Sequence, residues 1–164
     1  MAPTSSHLIA LQTGIYLIQN VNSGRFIMSN SSQSVVSVQT YDATVDGQNP
    51  LPDAAKIKVT KGNGVFTFQD ASGTNAYLSD TSAIVGTDTS TGATWAFAQA
   101  QWHVNSVGTR PGEYSITNKA GTFCLKEYDD PDTNFYVTEA TDKAFAGTVT
   151  DTTETWRFLW ADLQ

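Results

Sequence analysis

The sequence predicts an all-β fold made of three copies of one four-stranded unit, and three observations carry that prediction. The first is a repeat: Gly14-Ile-Tyr16-Leu-Ile18-Gln-Asn20, Gly64-Val-Phe66-Thr-Phe68-Gln-Asp70 and Gly112-Glu-Tyr114-Ser-Ile116-Thr-Asn118 share the pattern Gly-x-aromatic-x-apolar-x-Asn/Asp, at a spacing of about 50 residues that marks a repeat architecture. The second is periodicity. Apolar and polar residues alternate through each copy, with aromatic and β-branched types enriched, as in a strand with one buried face. The third is punctuation: Asn20 to Gly24, Asp70 to Gly73 and Asn118 to Gly121 are turn chemistry, each followed by an apolar pair, so each copy opens with a β-hairpin.

Taken in order, residues 1–10 form a polar, Pro-containing lead expected to be flexible. A single domain then spans 11–164, with repeats at about 11–60, 61–108 and 109–164. In the first repeat the hairpin is followed by a strand at Val35–Val38, a long loop from Tyr41 to Asp53 whose Gly and Pro residues oppose regular structure, and a closing strand at Lys56–Val59. The second adds strands at Ala83–Val85, Trp95–Phe97 and Trp102–Val104, with a Thr/Ser/Gly loop from Thr87 to Gly92. The third adds Phe135–Val137, a Thr-rich loop from Ala146 to Glu154, and Trp156–Trp160. No segment requires a helix. A three-bladed propeller falls below the usual four to eight blades, and solenoid repeats are shorter or helical. Twelve strands in three units therefore point to a β-trefoil, a six-stranded barrel plus a hairpin cap.

Composition narrows the function. A formal charge of −7 and a pI near 4.5 disfavour a phosphate-backbone ligand, so nucleic acid is not an expected partner. No apolar run reaches the length of a membrane span, and Met1–His7 lacks the basic and apolar regions of a signal peptide. A cytoplasmic protein is expected, or one exported by a route that uses no signal. Cys124, the single cysteine, alternates with apolar neighbours and reads as a small core residue. His7 and His103 are the two histidines, and nothing in the repeat pattern converges them with a nucleophile and an acid, so an enzyme is not expected. Asp130-Pro-Asp132-Thr-Asn134 has oxygens at alternate positions. A calcium loop would need Gly where Phe135 stands and Glu where Thr141 stands, so the segment reads as an acidic turn, and no metal or other cofactor is expected.

The repeat openings at Gly14–Gly24 and Gly112–Asn118 resemble those of fungal β-trefoil proteins, the ricin-B-type lectins and the trefoil protease inhibitors of mushrooms. That resemblance implies a carbohydrate-binding defence or storage protein whose partners are glycans or glycoproteins. Ricin-type repeats commonly close with Gln-x-Trp; the triplets here are Ala54-Ala-Lys56, Ala100-Gln-Trp102 and Glu154-Thr-Trp156, which implies at most one or two competent sugar sites. Sugar recognition asks for an aromatic face to stack on a pyranose and for amide or carboxylate groups to take its hydroxyls. Three regions offer that mixture: Tyr128, Asp129, Asp130, Asn134 and Tyr136 in the third repeat; Asp80, Asp88 and Trp95 in the second; Tyr41, Asp42 and Asn49 in the first. The third is the richest.

Two other functions remain open. Ser29, Asn30, Ser31 and Ser32 resemble in position the reactive loop of the mushroom inhibitors, making a protease the alternative partner; the basic, Pro-containing stretch that follows that loop in the inhibitors is here Ser34-Val-Val-Ser37. An accessory subunit with no ligand of its own would dock through the face around Trp95 and Phe97.

Overall fold

A computed structural model describes residues 11–29, 39–41, 52–84, 91–107, 111–129, 135–140 and 152–161. The lead at 1–10 and the strand expected at Val35–Val38 lie outside them. The first repeat comprises β1 (Gly14–Asn20), β2 (Phe26–Met28), β3 (Gln39–Tyr41) and β4 (Ile57–Gly62). The second comprises β5 (Val65–Asp70), β6 (Tyr77–Ile84), β7 (Thr91–Ala96) and β8 (Trp102–Ser106). The third comprises β9 (Glu113–Asn118), β10 (Cys124–Asp129), β11 (Phe135–Ala140) and β12 (Trp156–Trp160). Helical structure among the described residues is two 3-10 turns, Asp53–Ala55 and Thr152–Glu154.

The first and last strands of each repeat close a ring, β1-β4-β5-β8-β9-β12 and back to β1, with every pair antiparallel. Closure leaves the barrel with no unpaired edge. The middle strands form the hairpins β2–β3, β6–β7 and β10–β11, and β11 ties them together by pairing with β3 at Tyr136↔Gln39 and with β7 at Thr138↔Gly92. The fold is a β-trefoil, as the repeat pattern predicts.

Local chemistry explains several elements. Asn63 and Gly64 both have positive φ, 54° and 78°, and Gly62 pairs with Val65 across them; this is the two-residue turn whose twist matches a hairpin. Strand β6 joins the hairpin's Tyr77-Leu78 to the segment expected as a separate strand from Ala83, through a register shift between Ser79 and Ala83, an irregularity that alternation alone does not reveal.

Register also sets the equivalence of the repeats. Asn20 pairs with Trp156, Asp70 with Ile57, and Asn118 with Trp102. Ile57, Trp102 and Trp156 therefore share one position, each fully buried, and the triplet equivalent to Gln-x-Trp in the first repeat is Ala55-Lys56-Ile57. The triplet expected from the sequence, Ala54-Ala-Lys56, puts Lys56 there instead. One residue of slip exchanges the two faces of a strand, and the burial of Ile57 against the exposure of Lys58 decides the register. The same barrel core takes Ile18, Phe68, Ile116 and, from the hairpins, Ile27, Leu78 and Leu125. Cys124 is buried as well, as expected, on the face of β10 opposite Leu125.

Candidate functional site

The hairpin of the third repeat holds the residues that the sequence ranks first. Strands β10 and β11 pair Tyr128 with Tyr136 and Asp129 with Phe135, so the two tyrosines occupy directly opposed positions on neighbouring strands. Tyr136 is also the residue through which β11 meets Gln39 of the first repeat. Asp130 and Asn134 lie outside the described residues, as does the rest of the acidic turn.

One position back from Tyr128, Glu127 anchors this hairpin to the first repeat. Its carboxylate accepts a hydrogen bond from Ser23 Oγ at 2.8 Å and from the Arg25 guanidinium at 3.3 Å. Burial pushes the Glu127 pKa above the usual carboxylate range, against the opposing pull of Ser23, Arg25 and Thr40. The cluster joins the turn after β1 to β10. Sequence reasoning missed it. A glutamate two residues beyond the buried Leu125, on the core-facing parity of the strand, was the available signal.

The same position recurs in each repeat. Phe26, Tyr77 and Cys124 pair with equivalent residues of the neighbouring barrel strand, which makes Ser29, Asp80 and Glu127 equivalents. Ser29 Oγ donates to Asp70 at 2.8 Å, Asn118 Nδ2 donates to Asp80 at 3.4 Å, and Ser23 donates to Glu127. Each repeat thus bonds to the turn of the next, and the third returns to the first.

Ser29 is consequently buried, 5% exposed, and its hydroxyl is engaged by Asp70 rather than presented to solvent. Its partner Asp70 is a carboxylate where the other two repeats have asparagine, and it requires additional donors. Burial works to raise the pKa of Asp70, but hydrogen bonds from Ser72, Thr74 and Ser29 outweigh that effect and hold it at about 2. Asn30, Ser31 and Ser32 lie outside the described residues.

Trp95 also departs from expectation. It is 1% exposed, and its indole N–H donates to the carbonyl of Met28 at 3.0 Å. It offers no face for a sugar. The reason lies in the first repeat: the closing-strand tryptophans Trp102 and Trp156 donate to Leu78 and Leu125 of their own hairpins, but the first repeat has Ile57 at that position. In the first repeat the indole donor comes instead from Trp95 of the second, to the carbonyl of Met28, the residue after Ile27. Of the face expected to dock a larger enzyme, Phe97 is exposed and Trp95 is not. Tyr41 is buried as well, whereas Asp42, Asn49 and Asp88 fall outside the described residues.

No family model matches this sequence, and no curated protein matches it. Its structure does have counterparts. A ricin B-like lectin of Macrolepiota procera, solved in complex with lactose, superposes with a TM-score of 0.69 over 93% of this chain and 99% of its own, at 14% identity. The agglutinin of Rhizoctonia solani gives 0.67 over 92% and 97%, at 18% identity. ThreeFoil, a designed protein of threefold symmetry, gives 0.67 over 89% and 98%, at 14% identity. At these identities the likeness is one of fold.

Proposed function

We propose that this chain is a cytoplasmic carbohydrate-binding protein, a lectin of the ricin-B type with a defence or storage role and no catalytic activity. Its sugar site lies on the hairpin of the third repeat. The observation that carries the reading is the register Tyr128↔Tyr136, which puts two aromatic residues side by side with Asp129 adjacent, on a hairpin braced by Glu127 and Arg25. In this reading Tyr128 or Tyr136 stacks on the pyranose while Asp129, Asp130 and Asn134 take its hydroxyls. The trefoil lectins that share the fold over almost their whole length add support, one of them a lactose complex.

A glycan array on the purified protein tests the reading, with the double variant Asp130→Ala/Tyr136→Ala beside the wild type. Selective binding that the double variant loses is the expected result. Binding that the double variant retains removes the site, and a silent array removes the function.

A further inference from the structure

The end of the barrel away from the hairpins carries a second feature. The hairpins cap the end where Asn20 pairs with Trp156; four residues along β1, Tyr16 pairs with Trp160, roughly 13 Å further down the barrel at about 3.3 Å per residue. Tyr16, Phe66 and Tyr114 are the repeated Gly-x-aromatic residues, and each stands four residues before its repeat's Asn or Asp. Of these, Tyr16 and Tyr114 line the mouth at this end. Beneath them Phe158 meets Tyr16 and Tyr114 edge to face, at centroid separations of 5.8 and 5.6 Å. Between Tyr16, Tyr114, Phe158, Trp160 and the start of β1 lies a cavity of about 180 Å³.

Trp160 is held in place. Its ring stacks on Tyr16 with centroids 4.6 Å apart and planes 26° from parallel. It also lies over Gly14, where a Cβ would come within 2.2 Å of the ring. The glycine is what permits this close approach. Even so, Trp160 remains 42% exposed, whereas Trp95, Trp102 and Trp156 are at most 1% exposed. Every described residue lining the cavity is uncharged, and the polar groups among them include Gln12 and the phenols of Tyr16 and Tyr114. The Tyr16 hydroxyl donates to the Gln12 carbonyl at 2.8 Å, which leaves its oxygen able to accept.

A rigid indole face, phenol hydroxyls and no charge select a neutral ring with one apolar face and hydroxyls at its rim. The size selects a single ring, since the cavity is smaller than the ~300–1,000 Å³ of sites for larger ligands. We infer that the barrel mouth is a second carbohydrate subsite, which takes one terminal pyranose stacked on Trp160. It is separate from the third-repeat hairpin, and it stands or falls independently of that site because it rests on its own lining.

The test uses the one exposed tryptophan as reporter. Acrylamide quenching of the full chain is measured with methyl pyranosides of galactose, glucose, mannose and N-acetylglucosamine, and with cyclohexanol as an apolar ring of similar size. The expected result is that at least one pyranoside, in the millimolar range, halves the quenching of Trp160 while cyclohexanol has no effect. Calorimetry with that pyranoside, in the Asp130→Ala/Tyr136→Ala background that lacks the hairpin site, then shows weakened binding when Trp160→Phe is added, and binding lost when Trp160→Leu is added. Gly14→Ala, which displaces the ring without deleting it, weakens binding several-fold. Protection by no pyranoside, equal protection by cyclohexanol, or unchanged calorimetric binding in a folded Trp160→Leu overturns the assignment. Quenching reads Trp160 alone and the calorimetry is done without the hairpin site, so the glycan array and the quenching experiment fail separately.

Discussion

The Ser29 hydroxyl donates to the Asp70 carboxylate at 2.8 Å across the seam between the first and second repeats. Ser72 and Thr74 donate to the same carboxylate through their backbone N–H groups and their hydroxyls. One side chain thereby orders its own turn and holds a neighbouring hairpin. Asn20 and Asn118 organise the equivalent turns, accepting from the backbone N–H groups of Asn22 and Ser23 and of Thr122 and Phe123.

Replacing Asp70 with alanine leaves several donors without their acceptor, and the loss is expected to be about 2–4 kcal/mol at neutral pH, in line with one to three for a single buried unsatisfied group. Denaturant unfolding measures it. Asp70→Asn, which installs the residue of the other two repeats, is expected to cost less than alanine.

Acid sensitivity follows from the same carboxylate. Its pKa is lowered in the fold from 3.8 to about 2, so the unfolded chain binds the proton more readily. The stability that Asp70 contributes is fully present above pH 3.8 and is lost as the pH falls through about 2. In Asp70→Asn this part of the acid limb flattens. Thermal unfolding followed from pH 5 to pH 2 checks it, and an unchanged slope in the variant refutes it.

Glu127 behaves in the opposite sense. Its pKa is raised in the fold above 4.5 by burial, so the protonated form is favoured there. The corresponding stability is present below pH 4.5 and fades as the pH rises through the folded value. Glu127→Gln is therefore expected to flatten the fall in stability above pH 4.5. Glu127→Ala is expected to cost about 1–3 kcal/mol at neutral pH, because it leaves Arg25 and Ser23 without their partner. Melting temperatures against pH for the two variants separate these effects.

Trp95 and Ile57 are expected to be coupled. Trp95→Phe removes the donor to Met28 and some volume, at a cost of about 1–3 kcal/mol, without altering glycan binding. Ile57→Trp overpacks a fully buried position of the cluster that Trp95 also belongs to, at a cost of about 1–3 kcal/mol. Combining Ile57→Trp with Trp95→Thr, which copies Thr40 of the first repeat, is expected to recover stability relative to the sum of the single changes. Additive losses in the double variant exclude the substitution of one indole for the other.

The architecture is legible in the residues alone. Gly-x-aromatic-x-apolar-x-Asn/Asp repeated three times specifies strand, face and turn, because alternation and turn chemistry are local properties written at each position. The burial of Cys124 was legible for the same reason, and the missing tryptophan of the first repeat was visible as a gap. Only the tertiary structure decided which residues meet between repeats. Trp95 looked like a sugar platform and Ser29 like a loop tip, since no periodicity reports that a side chain crosses to a neighbouring repeat in search of a carbonyl or a carboxylate. The cycle of Ser29, Asp80 and Glu127 and the aromatic mouth around Trp160 arise from ring closure. That closure joins residues distant in the chain, and their partners are set by register, which one residue of slip inverts.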